Sequence, residues 1–396
     1  RDSFKNGKRT DGSGRIRTAG FPTPSSGYGP TKGRRTARLE VVKCVVISPC
    51  TTPSVSRLQR KPMSRQMKPE RAVERYLKER KPEVSESTHY NHACTLNAFL
   101  EFCEEEGLDN ICEVDGFHVH DFKIYRREVG GINEVTLYKN LCTLRVFLKW
   151  CRSMELVGSS VVENMILPDL EDDARDTMLD AERADQILHY LDKFEYATLR
   201  HVLFALLWDT GFRIGTARAI DVADYNPEEQ YVEIRHRPEQ DTPLKNGTRA
   251  EREVNLHPWV CEILDDYLQI HRNDVTDEYE REPLFSSLRG RTVRSNLRMH
   301  INRVTRPCHT TGECPHGRDK SECEAAQDYG QASKCPTSVS PHPIRRGAIT
   351  HWLNEGHSKE LLSDRMNVSV KTLDKHYDAR TESEKRELRR EEFGMK

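Results

Sequence analysis

The sequence predicts a mainly α-helical chain, in which an all-α domain precedes an α+β domain with a small β-hairpin or sheet. Apolar residues recur at helical spacing over most of the chain after residue 67. Strict alternation of apolar and polar residues is confined to two short segments, 231–235 and 251–256. A proline and four acids between residues 166 and 173 interrupt the helical pattern and separate the two parts.

The N-terminal segment differs from the rest of the chain in charge. Residues 1–62 carry 14 Lys and Arg against 3 Asp and Glu, whereas the remainder carries 48 against 60. We expect residues 1–66 to be a disordered basic extension outside the fold, with Met63 or Met67 as a plausible start. A basic arm that follows DNA is the alternative. If the acidic remainder binds nucleic acid, its positive side chains must be concentrated on one surface, or the protein must work at high salt.

Residues 67–165 are predicted to form the all-α domain. Ser85 and Ser87 are candidate N-caps for a helix that ends near Gly107, and amphipathic runs follow at residues 119–127 and 135–151. The aromatic and cysteine side chains of these runs fall on the apolar faces, where core packing is their expected role. Residues 166–178 are predicted to be the linker.

Residues 179–385 are predicted to form the α+β domain. Asp180 is a candidate N-cap, and residues 199–208 read as a nearly continuous apolar helix. The alternating segments 231–235 and 251–256 predict a hairpin with Lys245 near its tip, and residues 259–270 are again helical. A cysteine-rich insertion spans residues 305–341, and residues 386–396 form a charged C-terminal tail.

Five residues of this second domain could together break a phosphodiester bond. Arg213 and Arg345 can present planar forks to nonbridging oxygens, and His342 lies one helical turn before Arg345. Lys245 is a candidate general acid, and Tyr377 can supply a phenolate nucleophile. Each signal is weak alone, but the ordered set is specific, and it needs no metal in the reaction.

This ordered set resembles the tyrosine recombinase (phage integrase) family, including an archaeal integrase-like insertion. The first box of that family matches Thr210-Gly-Phe-Arg213, its hairpin lysine matches Lys245, its second box matches His342-Pro-Ile-Arg345, and its nucleophile matches Tyr377. Residues 69–165 resemble the SAM-like core-binding domain of the family. The resemblance implies cutting and rejoining of DNA through a 3′-phosphotyrosyl link, without a catalytic cofactor.

The resemblance also implies partners. The partners are double-stranded DNA with a specific recombination site, and three further copies of the chain in a tetrameric synapse. A reduced, cytoplasmic setting with association to the nucleoid is expected, because no signal peptide opens the chain and the spacing of its twelve cysteines is not that of a small secreted scaffold. The longest early apolar run, residues 41–47, is too short to span a membrane.

Two positions depart from the family pattern. Asn367 stands where a histidine usually precedes the nucleophile by about ten residues, and Thr216 replaces the acid that commonly follows the first arginine. Asn can donate a hydrogen bond to a phosphate oxygen, but it does not titrate. An inactive integrase-like DNA-binding regulator is therefore one alternative function, and a type IB topoisomerase-like enzyme is another.

The insertion places four thiols in a segment poor in apolar residues. Cys308, Cys314, Cys323 and Cys335 could hold a structural zinc ion, with His316 as an alternative ligand. The spacing lacks paired Cys-x2-Cys motifs, so reduced cysteines without a metal remain the second interpretation, and disulfides the third.

Overall fold

The structure is a computed structural model that describes residues 66–170, 177–376, 381–392 and 394. The predicted basic extension, apart from Gln66, and the predicted nucleophile Tyr377 lie outside these residues. Residues Met67–Lys396 form one compact unit. Among the described helices, none combines the length and the apolar character that a bilayer crossing requires.

Five helices form the first part of this unit: α1 (Pro69–Arg80), α2 (Glu86–Glu105), α3 (Gly116–Glu128), α4 (Glu134–Ser153) and α5 (Ser159–Glu163). Of the two N-cap candidates for α2, Ser85 is the cap, because its side chain accepts a hydrogen bond from Thr88 N at 3.3 Å. Two aromatic residues of the predicted helical runs, Phe99 and Phe147, are fully buried in a shared core. The helical prediction for this segment is confirmed, and its separation as a domain stays a prediction.

The second part is built around a buried helix. Its helices up to the insertion are α6 (Ala181–Phe194), α7 (Leu199–Thr210), α8 (Ile214–Ala219), α9 (Pro258–Asp266), continued by a π-helical turn at Tyr267–His271, and α10 (Arg294–Val304). Asp180 caps α6 as predicted, with its carboxylate accepting from Arg183 N at 2.8 Å. Every residue of α7 from His201 to Thr210 is buried. Each of its large apolar side chains stabilises the fold by about 1.5–3 kcal/mol.

A small antiparallel sheet flanks these helices. Strands β1 (Tyr225–Asn226), β2 (Tyr231–Ile234) and β3 (Arg252–Asn255) pair in the order β1-β2-β3, with Val232 opposite Val254. The predicted hairpin is confirmed, and Lys245 lies in its long connection. A second hairpin, β4 (Ser286–Ser287) with β5 (Gly290–Arg291), was not predicted because two-residue strands have no periodicity.

Three of the C-terminal helices pack on one another. After the short insertion helices α11 (Pro307–Thr310) and α12 (Glu324–Gln327) come α13 (Pro341–Asn354), α14 (Lys359–Met366), α15 (Val370–His376) and α16 (Glu382–Glu392). Leu353, Leu362, Met366 and Leu373 form a buried cluster that fixes α14 and α15 against α13. A Cβ on Gly347 would lie 1.8 Å from Leu179 O, so only glycine allows α13 to approach the chain there. The predicted fold class, mainly α with a small sheet, is confirmed.

Candidate active site

The turn after α7 positions Arg213. Gly211 ends the helix in the left-handed conformation, with φ of 60°, and its N–H donates to Leu207 O at 3.0 Å. A Cβ at this position would also lie 3.0 Å from Met366 Sδ, so the backbone conformation favours glycine and the packing leaves little room for a side chain. The chain then turns so that Arg213 is the extended residue preceding α8.

Arg345 is held inside the protein by backbone carbonyl groups. This side chain is only 1% exposed, and it donates to Gly211 O and, at 2.9 Å, to Met366 O. The acceptors belong to the end of α7 and the end of α14, which are 155 residues apart in the chain by their numbers, 211 and 366. A guanidinium with several donors in a fixed plane suits this bridging position.

The residue after Met366, which is Asn367, supports Arg213 through its carbonyl group. Arg213 Nη1 donates to Asn367 O at 2.9 Å. Asn367 itself caps α14 in the left-handed region, with φ of 48° and ψ of 63°, a conformation that Asn tolerates better than most residues. The carbonyl groups of Met366 and Asn367 therefore support both predicted catalytic arginines.

The connection of the β2–β3 hairpin reaches the same turn. The N–H of Leu244 donates to His236 Nδ1 at 2.9 Å, which fixes the chain directly before Lys245. Asn246 Nδ2 donates to Asn367 Oδ1 at 3.0 Å. The hairpin that carries Lys245 is thus tied to the residue that supports Arg213.

These elements enclose a cavity of about 600 Å³, which we call the cationic cavity. Its lining includes five of the predicted site residues: Arg213, Lys245, His342, Arg345 and Asn367. Asn246, Ser369 and Thr372 also line it. Among the residues that the structure describes, no Asp or Glu lines it. The cavity therefore suits an anion with several oxygen atoms, such as a phosphodiester group.

The sixth predicted residue, Tyr377, lies outside the described residues. It follows directly after α15, and Ser369 and Thr372 from the beginning of that helical segment line the cavity. The position of the phenol stays a prediction.

The cavity also sets the protonation of His342. Its burial, followed by the neighbouring cations Arg345, Arg346, Arg213 and Lys245, lowers the pKa of the imidazole from its ordinary value of 6.5. A neutral imidazole at neutral pH can accept a proton, so His342 fits a general base better than a further phosphate-binding cation.

Sequence reasoning missed two polar residues near the cavity, Asn246 and Arg252. Burial, followed by repulsion from Arg213, lowers the pKa of Arg252 to about 10. Its Nε donates to Arg365 O at 2.9 Å and its Nη1 to Ala250 O at 2.6 Å, so it joins β3 to the end of α14. An arginine in an alternating strand gives no signal of such a contact, because the partner is more than a hundred residues away.

The structure does not support the zinc prediction. Cys308, Cys314, Cys323 and Cys335 are all described and free of disulfides. The described part of the chain contains no group of three or more His, Cys, Asp or Glu side chains arranged to hold a metal ion. The alternative ligand His316 is hydrogen-bonded to Thr337 Oγ1 at 2.7 Å.

The insertion has another source of stability that spacing did not reveal. Arg183 on α6 donates to Thr337 O at 2.8 Å and to Thr305 O, and the buried Arg306 donates to Ala325 O. These arginine–carbonyl bonds join both ends of the insertion to the helical core and hold its middle, which contributes few apolar side chains.

Comparison with known proteins identifies the family and the fold of this chain. The model of the phage integrase family matches residues 177–384, more than half of the 396 residues. No curated protein sequence matches the chain. Among solved structures, the Tn1549 transposon integrase in complex with a circular intermediate DNA has a TM-score of 0.59, at 14% identity over 82% of this chain and 99% of that one.

Two further structures have similar folds. The Tn1549 integrase in complex with transposon right end DNA has a TM-score of 0.58, at 13% identity over 83% of this chain and 100% of that one. A lambda integrase dimer bound to a COC′ core site has a TM-score of 0.56, at 13% identity over 80% and 78%. At these identities the structures establish the fold alone. Since the model of the phage integrase family matches more than half of the chain, the protein belongs to the tyrosine recombinase (phage integrase) family.

Proposed function

We propose that this protein is a site-specific DNA recombinase that cuts and rejoins double-stranded DNA through a 3′-phosphotyrosyl intermediate. The observation that carries the proposal is the cationic cavity, where Arg213, Lys245 and Arg345 converge and no described carboxylate lines the wall. A phosphodiester carries one negative charge spread over two nonbridging oxygens, and this charge grows on those oxygens as a nucleophile adds to phosphorus.

The first step is an in-line displacement at the scissile phosphate. The phenol oxygen of Tyr377 attacks phosphorus, a P–O(Tyr) bond forms, and the bond from phosphorus to the 5′ oxygen breaks. His342, whose lowered pKa keeps it neutral, takes the phenol proton. Lys245 gives a proton to the departing 5′ oxygen, and Arg213 and Arg345 stabilise the pentacoordinate phosphorus.

The second step reverses the first on another strand. The free 5′-hydroxyl of the partner DNA gives its proton to Lys245 and attacks the phosphotyrosyl phosphorus. The P–O(Tyr) bond breaks, and the phenolate recovers a proton from His342. The number of phosphodiester bonds is unchanged, so the reaction needs neither an external energy source nor a catalytic cofactor. Integration, excision and resolution of multimers are all compatible with this chemistry.

The partners in this proposal are DNA and further copies of the chain. Solved structures with the same fold include a Tn1549 integrase in complex with transposon right end DNA and a lambda integrase dimer bound to a core site. By analogy, this chain binds a duplex containing its recombination site and self-associates on it, with four protomers joining two sites.

Covalent capture tests the proposal directly. A library of nicked duplexes with a randomised core is incubated with the full chain, and the DNA that remains attached after SDS treatment is sequenced. A nick next to the cleaved phosphate releases a short fragment and so traps the adduct. We expect wild-type protein to yield adducts at one sequence and Tyr377→Phe to yield none. Tyr90→Phe, which alters a phenol that is 69% exposed on α2, should retain the adducts.

A second function, an inactive DNA-binding regulator, is favoured by one observation, the non-titrating Asn367 in the cavity. Sequence-selective binding by wild-type protein without any adduct would contradict the recombinase and support the regulator.

A further inference from the structure

We propose that Asn246 is a positioning residue that determines which end of the Asn367 carboxamide faces the DNA phosphate. This inference rests on the proposed function, because it concerns the same cavity. It starts from a hydrogen bond between residues 121 positions apart, in which Asn246 Nδ2 donates to Asn367 Oδ1 at 3.0 Å.

A carboxamide has two chemically opposite ends. Its oxygen only accepts hydrogen bonds, and its NH2 group only donates them. Once Oδ1 of Asn367 is engaged by Asn246, the NH2 group is the end that can donate to a phosphate oxygen. A carboxamide turned by 180° would instead place its oxygen near the anionic oxygens, which would repel it.

The backbone of Asn367 is already fixed by other contacts, so the orientation of its side-chain amide is what Asn246 can determine. The backbone is held in the left-handed conformation at the end of α14, and its carbonyl oxygen accepts from Arg213 Nη1 at 2.9 Å. The terminal torsion of Asn is broad and roughly two-fold, so it has no strong preference between the two orientations. A single directed donor is enough to choose one of them.

The need for such a donor follows from the residue type at position 367. A protonated imidazole can donate from both of its ring nitrogens, whereas Asn can donate from one end only. Asn246 also follows Lys245 directly on the hairpin, so the same contact brings the proposed general acid and the proposed phosphate donor to the cavity together.

A double-mutant cycle tests this role. The rate constant of adduct formation under single-turnover conditions and the Kd for the selected nicked duplex are measured for Asn246→Ala and Asn246→Asp, in the native and Asn367→Ala backgrounds. Asn246→Ala should slow cleavage about 3- to 10-fold, the range of one lost hydrogen bond. Asn246→Asp should slow it about 100-fold, because a carboxylate accepts from Asn367 and turns its oxygen toward the phosphate.

The Asn367→Ala background separates orientation from other effects. In that background Asn246→Ala should slow adduct formation by less than about twofold. Asn246→Asp should slow it only by the effect of its new negative charge, because the carboxamide of Asn367 is no longer present. Ser369→Asp, which puts a carboxylate elsewhere in the cavity, measures that effect independently.

Additive losses across the cycle would overturn the proposal, as would an Asn246→Asp variant no slower than Asn246→Ala. Wild-type protein that binds the duplex without forming an adduct would refute the proposed function instead. In that case the cycle is evaluated from the Kd values of the same variants. Additive losses of affinity would overturn the positioning role of Asn246, and losses that are coupled through Asn367 would support it.

Discussion

The part of the chain after residue 177 contains two arginine clusters, and they differ in their partners. The first, which we call the ion-pair cluster, joins arginines to buried carboxylates and consists of Arg237, Arg281, Arg291, Asp221, Asp224 and Asp277. The second is the cationic cavity, where Arg213 and Arg345 are held by the carbonyl oxygens of Asn367, Gly211 and Met366.

The partner decides what each arginine can do. In the ion-pair cluster, Arg291 bonds both Asp221 and Asp277, whose side chains are 7% and 6% exposed, so its charge is cancelled locally. A carbonyl oxygen orients a guanidinium but carries no net charge, and the described lining of the cationic cavity adds no carboxylate. We therefore expect the first cluster to stabilise the fold, and we propose that the second binds an anionic ligand.

The largest expected effect comes from breaking the ion-pair cluster. The double variant Arg281→Met with Arg291→Met removes both of the cations that Asp221 and Asp277 share, so we expect the free energy of unfolding to fall by about 3–5 kcal/mol. Urea unfolding measures the loss. The cleavage rate per folded molecule should stay at the wild-type value, and a large drop in that rate would mean that the two clusters are not functionally distinct.

A slightly smaller effect is expected in the cationic cavity. Arg345→Lys cannot bond two carbonyls and a phosphate at once, so adduct formation should slow by about 10²- to 10³-fold. Single-turnover cleavage measures this rate. Arg303→Lys is the matched control, since Arg303 packs over the ring of Tyr329 at 4.9 Å and lies outside the lining of the cavity. Equal losses in both variants would contradict the assignment.

The third effect concerns pH. The lowered pKa of His342 keeps it neutral at neutral pH, so cleavage should fall about tenfold per pH unit only below that pKa. Arg346→Met removes one of the cations that lower the pKa and should move the midpoint to higher pH. His342→Asn should remove the dependence, and an unchanged pH profile in that variant would exclude His342 as the base.

The same shift affects stability. Because the folded state binds this proton less tightly than the unfolded chain does, the stability contributed by neutral His342 is present above the ordinary pKa of 6.5 and is lost as the pH falls through the lowered value. Urea unfolding of wild type and of His342→Asn at pH 7 and pH 5 measures this loss of stability, and the part due to His342 should be absent in the variant.

The smallest effect is on the salt dependence of DNA binding. Lys245→Met should reduce the slope of log K against log salt by about 1, the value for one lost phosphate contact. Arg291→Met should leave the slope unchanged, because its charge is already paired with carboxylates. A reduced slope in the Arg291 variant would contradict the contrast between the clusters.

The order of the motifs singled out residues that the structure places together. Gly211, the His342 box and the hairpin around Lys245 each carry a local signal, and the structure brings their residues to one cavity. Helices with caps and long apolar faces, such as α2 after Ser85 and α6 after Asp180, could also be predicted because their determinants are adjacent in the chain.

Other features could not be predicted because they depend on distant contacts. Asn246 and Arg252 act through Asn367 and Arg365, more than a hundred residues away. The cysteine spacing suggested zinc, but spacing does not show whether thiols converge, nor that Arg183 and Arg306 hold the insertion through carbonyl oxygens. The His342 box singled out Arg345, but no local signal showed that Arg291 is paired with Asp221 and Asp277.

The central claim is that the cationic cavity holds a scissile DNA phosphate through its charge. The most direct test replaces that phosphate by an uncharged methylphosphonate in the nicked duplex and compares wild type with Arg345→Lys on both substrates. If the guanidinium acts on phosphate charge, the 10²- to 10³-fold loss on the native duplex should shrink to less than about tenfold on the methylphosphonate. An equal loss on both substrates would contradict the claim.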